Sequence, residues 1–297
     1  MTRMAIRFLR RLLVFGLGVF TVWFLVFVVF RFADHQVHWM LAVALTYGLA
    51  AYLVLPRVVR VSLTILQRKH VPRYTITGDG LPGDPVNLVL VGTLDQLQAA
   101  FAHAGWSHAD RLSLASSWRM ARAFVLNRPY PTAPFSTLYL FGRGQDIGFQ
   151  KAIDDSPRKR HHVRFWALSV TRAVATVGTE SLWHEAERPA PHEHNFWVGA
   201  ATKDTGLSLN WLTFQFTHAT DADTNAERDF VIAELADKRV IAGAASYKAN
   251  QRLEVASVNH YVTDGEVTVA NLVAGGAPGG PGAAIARTVP PAAEAKG

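Results

Sequence analysis

Leu12 to Phe30 runs through nineteen residues without a charged side chain, LLVFGLGVFTVWFLVFVVF. At 1.5 Å per residue such a helix is about 28 Å long, close to the hydrocarbon thickness of a bilayer. The stretch is too long for the apolar region of a cleaved leader, and RFADHQ after it offers no small-x-small cleavage site. Val37 to Leu55, VHWMLAVALTYGLAAYLVL, is a second span, stopped at Pro56. Its Gly, Ala and Thr residues suit close packing against the first span, and Trp39 suits the interface. The pattern therefore predicts a transmembrane hairpin over 1–56, with spans at about 12–30 and 37–55.

After residue 73 the pattern changes to short strands and amphipathic helices. Pro72 to Pro85 is rich in turn residues and reads as a linker or the entry to a domain. VNLVLV, 86–91, reads as a buried strand. Thr93 caps a helix over 94–104 that Gly105 ends, with apolar positions 94, 97, 101 and 104 on one face. A second helix covers about 113–126. Strands follow at 136–142, 147–152, 160–168, 196–202 and 209–218, then a helix at 224–236. The last element, 259–271, carries a hairpin-like Asp264-Gly265 turn. Segregated helices and strands of this kind predict an α+β domain over 74–272 with a mainly antiparallel sheet. Segment 171–195 is unpatterned and reads as a surface loop. Residues 273–297 are mostly Ala, Gly and Pro and lack the apolar side chains of a core, which predicts a disordered tail.

Charge sets the orientation. Residues 1–73 carry ten Lys/Arg against one acid, Asp34, whereas 74–297 carry 20 against 22. Basic residues flank the spans at Arg3, Arg7, Arg10 and Arg11 and at Arg57, Arg60, Arg68, Lys69 and Arg73. The connecting loop holds only Arg31. The positive-inside rule then places both termini and the domain in the cytoplasm. The basic juxtamembrane segment 57–73 anchors that topology and suits an anionic leaflet. A domain without net positive charge is not a nucleic-acid binder. The absence of cysteine excludes disulfides, redox pairs, thiol nucleophiles and cysteine metal sites.

Two segments concentrate polar chemistry. In PRKRHHVRFW, 157–166, strand alternation puts Arg160, His162, Arg164 and Trp166 on one face, and His161, Val163 and Phe165 on the other. Convergent Arg and His suit a phosphate or carboxylate; the bland alternative is a solvated face with His161 in the core. Asp146 is positioned to pair with one of these arginines. In THATDADTNAERD, 217–229, His218 with Asp221 and Asp223 offers ligands for a divalent metal or an acid–base pair. Against that, Thr224-x-x-Glu227 reads as a capping box, and Asp223 suits a helix N-terminus. DADTN imitates a calcium loop, but Ala226 and Ile232 stand where Gly and Glu are required. HEAER, 184–188, lacks the second histidine of a zinc-protease helix, and no GxSxG occurs.

The ordered motifs LYLFGRGQD–GFQK, PRKRHHVRFW, WVGAATKD, THATDADTNAERD and YVTDGEV resemble the LssY C-terminal domain family over about 85–270. The resemblance implies a bacterial, membrane-associated domain. In some members it accompanies a phosphatidic-acid-phosphatase-type domain, but this chain has neither PSGH nor SRxxxxxH, so lipid phosphatase activity does not carry over. Three readings remain. One is a membrane-anchored hydrolase of a phosphorylated or anionic substrate. There Arg160, His162 and Arg164 hold the anion, His218 acts as base or metal ligand beside Asp221 and Asp223, and Asp204 joins them. The second is a non-catalytic module that binds an anionic lipid headgroup or an envelope or transport protein. The third is a set of Arg–Asp pairs that staple the fold.

Overall fold

A computed structural model describes residues 2–66, 73–170, 187–190, 192–248 and 261–273. The chain divides into two compact units. The first gathers Met1–Pro72, Ile76–Gly83 and Gly206–Ala219; the second gathers Arg73–Thr75, Asp84–Thr205 and Thr220–Gly297.

In the first unit, α1 (Thr2–Phe24) runs on through a wider π-helical stretch (Leu25–Phe30) into α2 (Arg31–Gln36). After a break at Val37 and His38, α3 (Trp39–Leu49) continues through Ala50–Val54 into α4 (Leu55–Ile65). The two continuous rods, Met4–Gln36 and Trp39–Ile65, are long and apolar enough to cross a membrane. Both overrun the apolar stretches read from sequence because their basic flanks stay helical: Pro56 lies within the second rod, just after the π-helical stretch, where the regular ladder is already altered.

The strands are β1 (Tyr74–Ile76), β2 (Pro82–Pro85), β3 (Leu88–Gly92), β4 (Ser107–His108), β5 (Tyr139–Leu140), β6 (Arg143–Gly144), β7 (Ile147–Ala152), β8 (Arg160–Ser169), β9 (Asn195–Leu209), β10 (Phe216–Thr220), β11 (Ile241–Lys248) and β12 (Glu266–Leu272). Helices α5 (Leu94–His103), α6 (Leu114–Val125) and α7 (Thr224–Asp237) complete the second unit. Its main sheet has the order β11-β12-β3-β9-β8-β7-β4. Every pairing along it is antiparallel except β12 with β3. The α+β, mainly antiparallel expectation describes this domain.

Several local expectations change. The strand expected over 136–142 shrinks to β5, which pairs with β6 inside the expected GRGQD turn, because Phe141 and Gly142 take positive φ. β7 accordingly returns onto β8, not onto 136–142. The strands expected at 196–202 and 209–218 are divided differently: β9 runs to Leu209, and the turn falls at 210–215. Asp264-Gly265 does not close a tight hairpin, since β12 pairs with β11 and β3. The tail 274–297, most of the 171–195 loop and residues 67–72 lie outside the described residues.

The sheet is covered on both faces. Under α5 and α7, Leu90, Leu97, Phe101, Phe149, Phe165, Val231 and Leu235 form the larger core, with Phe101 stacked on Phe149 at 4.4 Å. On the opposite face Leu138, Leu140, Trp166, Leu168 and Val198 form the smaller one. A strand buried on both sides must place its polar residues where partners exist, and β8 does so.

Candidate functional site

β8 alternates as the sequence requires. His161 faces α7, where its Nδ1 meets the Glu227 carboxylate at 2.8 Å and its ring stacks on Phe230 at 4.0 Å. Arg160, His162 and Arg164 face the other way, and all three are buried. Their cross-strand neighbours on β9 are Asp204, Thr202 and Ala200; on β7, Gln150 and Gly148 lie opposite His162 and Arg164. The Phe135 ring closes the group, 4.5 Å from the Arg164 guanidinium and 5.7 Å from that of Arg160. Gly148 makes room for that ring: a Cβ there would lie 2.2 Å from Phe135 Cζ.

Each arginine already has a carboxylate. Arg160 Nε donates to Asp204 Oδ2 at 2.8 Å, and its Nη1 donates to Gln150 Oε1 at 2.7 Å. Arg164 Nη1 pairs with Asp84 Oδ2. Asp84 also accepts from Tyr261 Oη at 2.8 Å, and Thr202 Oγ1 lies 3.3 Å from it. Burial pushes the Asp84 pKa up, but the Arg164 charge and the bond from Tyr261 outweigh it, and the carboxyl is held at about 2. Tyr261 is driven well above its ordinary range by burial and by the Asp84 charge, so it stays a neutral donor.

His162 lies between the two ion pairs. Its Nε2 is 2.8 Å from Arg164 Nη1 and 2.7 Å from Thr202 Oγ1, and its Nδ1 is 3.5 Å from Asp204 Oδ1. Arginine can only donate, so Nε2 accepts and the ring proton is assigned to Nδ1, toward Asp204. The order Asp204–His162–Thr202 mimics an orienting acid, a base and a hydroxyl nucleophile. The chemistry does not follow, because the lone pair on Nε2 is engaged by Arg164 and Thr202 has no exposed surface. The small cleft beside Arg160, lined by Tyr130, Gln150 and Ser156, has room for about one water (≈ 10 Å³). The two arginines and two aspartates balance in charge, while His162 Nδ1 and Arg164 Nε are buried without a hydrogen-bond partner among the described residues.

Asp221 and Asp223 serve the start of α7. Asp223 is the N-cap of α7, its carboxylate accepting from Asn225 N and Ala226 N, and Asp221 Oδ1 accepts from Asp223 N. The cap is thus Asp223, not the Thr224–Glu227 box, and Glu227 turns to His161. His218 lies on β10. Among the described residues, no three or more His, Asp or Glu side chains are grouped so as to hold a metal ion. Asp146 pairs with Arg143 and Arg188 and with no arginine of β8. Sequence reading missed Asp84, Gln150, Thr202, Phe135 and Tyr261; Asp84 sits in a turn-rich stretch 80 residues from Arg164, with no local signal of its partner.

A family model described as LssY C-terminus matches residues 68–267. The chain belongs to this family. The match takes in β8, β9, Asp84 and Tyr261, so the whole buried network lies inside the LssY C-terminal region. No curated protein and no solved structure matches the chain.

Proposed function

We propose that this LssY-family chain is a membrane-anchored, non-catalytic module whose domain recognises an anionic phospholipid surface from the cytoplasmic side. The observation that carries the reading is α6. Leu114, Trp118 and Val125 recur on one side of this helix at 94%, 72% and 78% exposure. Arg111, Arg119, Arg122 and Arg128 flank that stripe, also exposed, and no acidic residue occurs between Asp110 and Asp146. A basic helix with an unpartnered Trp-bearing apolar stripe has the composition of an interfacial helix. Four arginines near an anionic leaflet contribute about 4 kcal/mol at most, reduced where Arg119 is shared with Asp110 at 3.5 Å. The cations expected to hold an anion, Arg160 and Arg164, support the reading differently: they are already neutralised inside the fold.

The test uses the full chain, which lacks cysteine. Trp118→Cys, carrying an environment-sensitive fluorophore, is reconstituted into bilayers with and without phosphatidylglycerol. A blue shift confined to the anionic bilayer, reversed by salt and lost in Arg119→Glu/Arg122→Glu, is expected. Identical emission in both bilayers would refute the reading. Phosphoester hydrolysis by the full chain, lost in His162→Ala at unchanged melting temperature, would replace it with a hydrolase.

A further inference from the structure

The first unit holds a second exposed apolar element, the hairpin of β9 and β10, whose tip belongs to the same compact body as the spanning helices. Residues 205–220 contain no Asp, Glu, Lys or Arg. Trp211 and Phe216 are 79% and 62% exposed, with Leu207, Leu212 and Phe214 also exposed. The tip lies against α3: Tyr47 Oη donates to the Phe214 carbonyl at 2.6 Å, and the Tyr47 ring meets Phe216 edge-on at 6.4 Å. Tyr47 precedes Arg57 by ten residues, about 15 Å along a helix. The hairpin therefore reaches past the basic flank of the second span, to a level where that helix carries no charged side chain.

A backbone can enter that environment only if its polar groups are satisfied within the protein. The turn satisfies four of its backbone N–H groups internally, two of them through one side chain. Asn210 Oδ1 accepts from Leu212 N at 2.9 Å and Thr213 N at 3.3 Å. Asn210 N donates to the Gln215 carbonyl, Phe214 N donates to the Asn210 carbonyl, and Thr213 Oγ1 donates to Gln215 Oε1. We infer that the hairpin tip, 207–216, inserts into the bilayer beside α3, as a third membrane contact made by the family domain itself. Lipid acyl chains are its occupant: the tip carries no charged side chain, exposes large apolar residues, and lies against a helix long and apolar enough to span. The inference rests on the membrane reading of Trp39–Ile65 and does not depend on α6.

Leu212→Cys in the full chain, labelled with a nitrobenzoxadiazole dye in nanodiscs, tests it. Emission is expected to lose half or more of its intensity to doxyl-labelled phospholipid and to be insensitive to aqueous iodide. Quenching by iodide without quenching by doxyl lipid would overturn the inference. Protection from both would overturn it too, by showing that a second copy or another protein covers the tip. Should Leu212→Cys fail to fold, Trp211→Cys carries the same measurement. A shifted α6 label with an iodide-quenched tip would refute the insertion alone.

Discussion

Replacing Asp84 by Asn removes one charge from the buried network and almost no volume. Asp84 and Arg164 are 6% and 5% exposed, and the other carboxylate nearby, Asp204, is engaged by Arg160. The variant thus strands a guanidinium whose remaining neighbours are a neutral histidine and an aromatic ring. Two magnitudes bear on the cost. Holding the carboxyl at about 2 instead of 3.8 favours the folded state by about 2 kcal/mol at neutral pH. Breaking a buried pair from one side costs about 3–5 kcal/mol, because the surviving charge stays desolvated. The second figure includes what the first omits, and it decides the expectation. At about 2–4 °C per kcal/mol, Asp84→Asn should lower the melting temperature by about 10 °C. The assay is far-ultraviolet circular dichroism of the full chain in detergent at pH 7. Adding Arg164→Met should recover much of the loss, with a coupling of about 2 kcal/mol or more. The exposed pair Lys238–Asp237 supplies the contrast: Asp237→Asn should leave the melt unchanged. A melt for Asp84→Asn within about 2 °C of the parent, or strict additivity in the double variant, would refute the account of the network as a closed staple.

Acid should act on the same group. With its folded pKa below its unfolded one, Asp84 binds fewer protons when native, so its stabilisation is complete above about pH 4 and is lost as pH falls toward about 2. A pH series of melts should show that loss in the parent and not in Asp84→Asn. Gly148→Ala should destabilise by about 1–3 kcal/mol, since its Cβ would lie 2.2 Å from Phe135; urea unfolding checks it, and Phe135→Leu in the same chain should relieve part of the cost. Asp223→Ala should cost about 1 kcal/mol through the lost α7 cap, whereas Asp223→Asn should nearly match the parent; a far larger loss would indicate a role beyond capping.

The sequence by itself determined whatever is local or periodic. Nineteen uncharged residues can form a spanning helix whatever follows, because the bilayer demands length and apolarity and nothing more. Thr93 and Ser113 begin their helices with reciprocal capping bonds that involve only the next three residues. The two faces of β8 follow from strand alternation, which is why Arg160, His162 and Arg164 were recognisable as one group. What those faces meet was not recognisable. Arg and His on one side of a strand read equally as an open anion site or as a closed one. The difference lies in Asp84 and Tyr261, 80 residues before Arg164 and 97 after it, brought in by the sheet order. The same holds for the hairpin: Phe214 and Phe216 look like ordinary strand residues until Tyr47 is found beside them, 167 residues of chain away from Phe214. Pairing between distant segments depends on the register and packing of the whole sheet, and no local propensity encodes it.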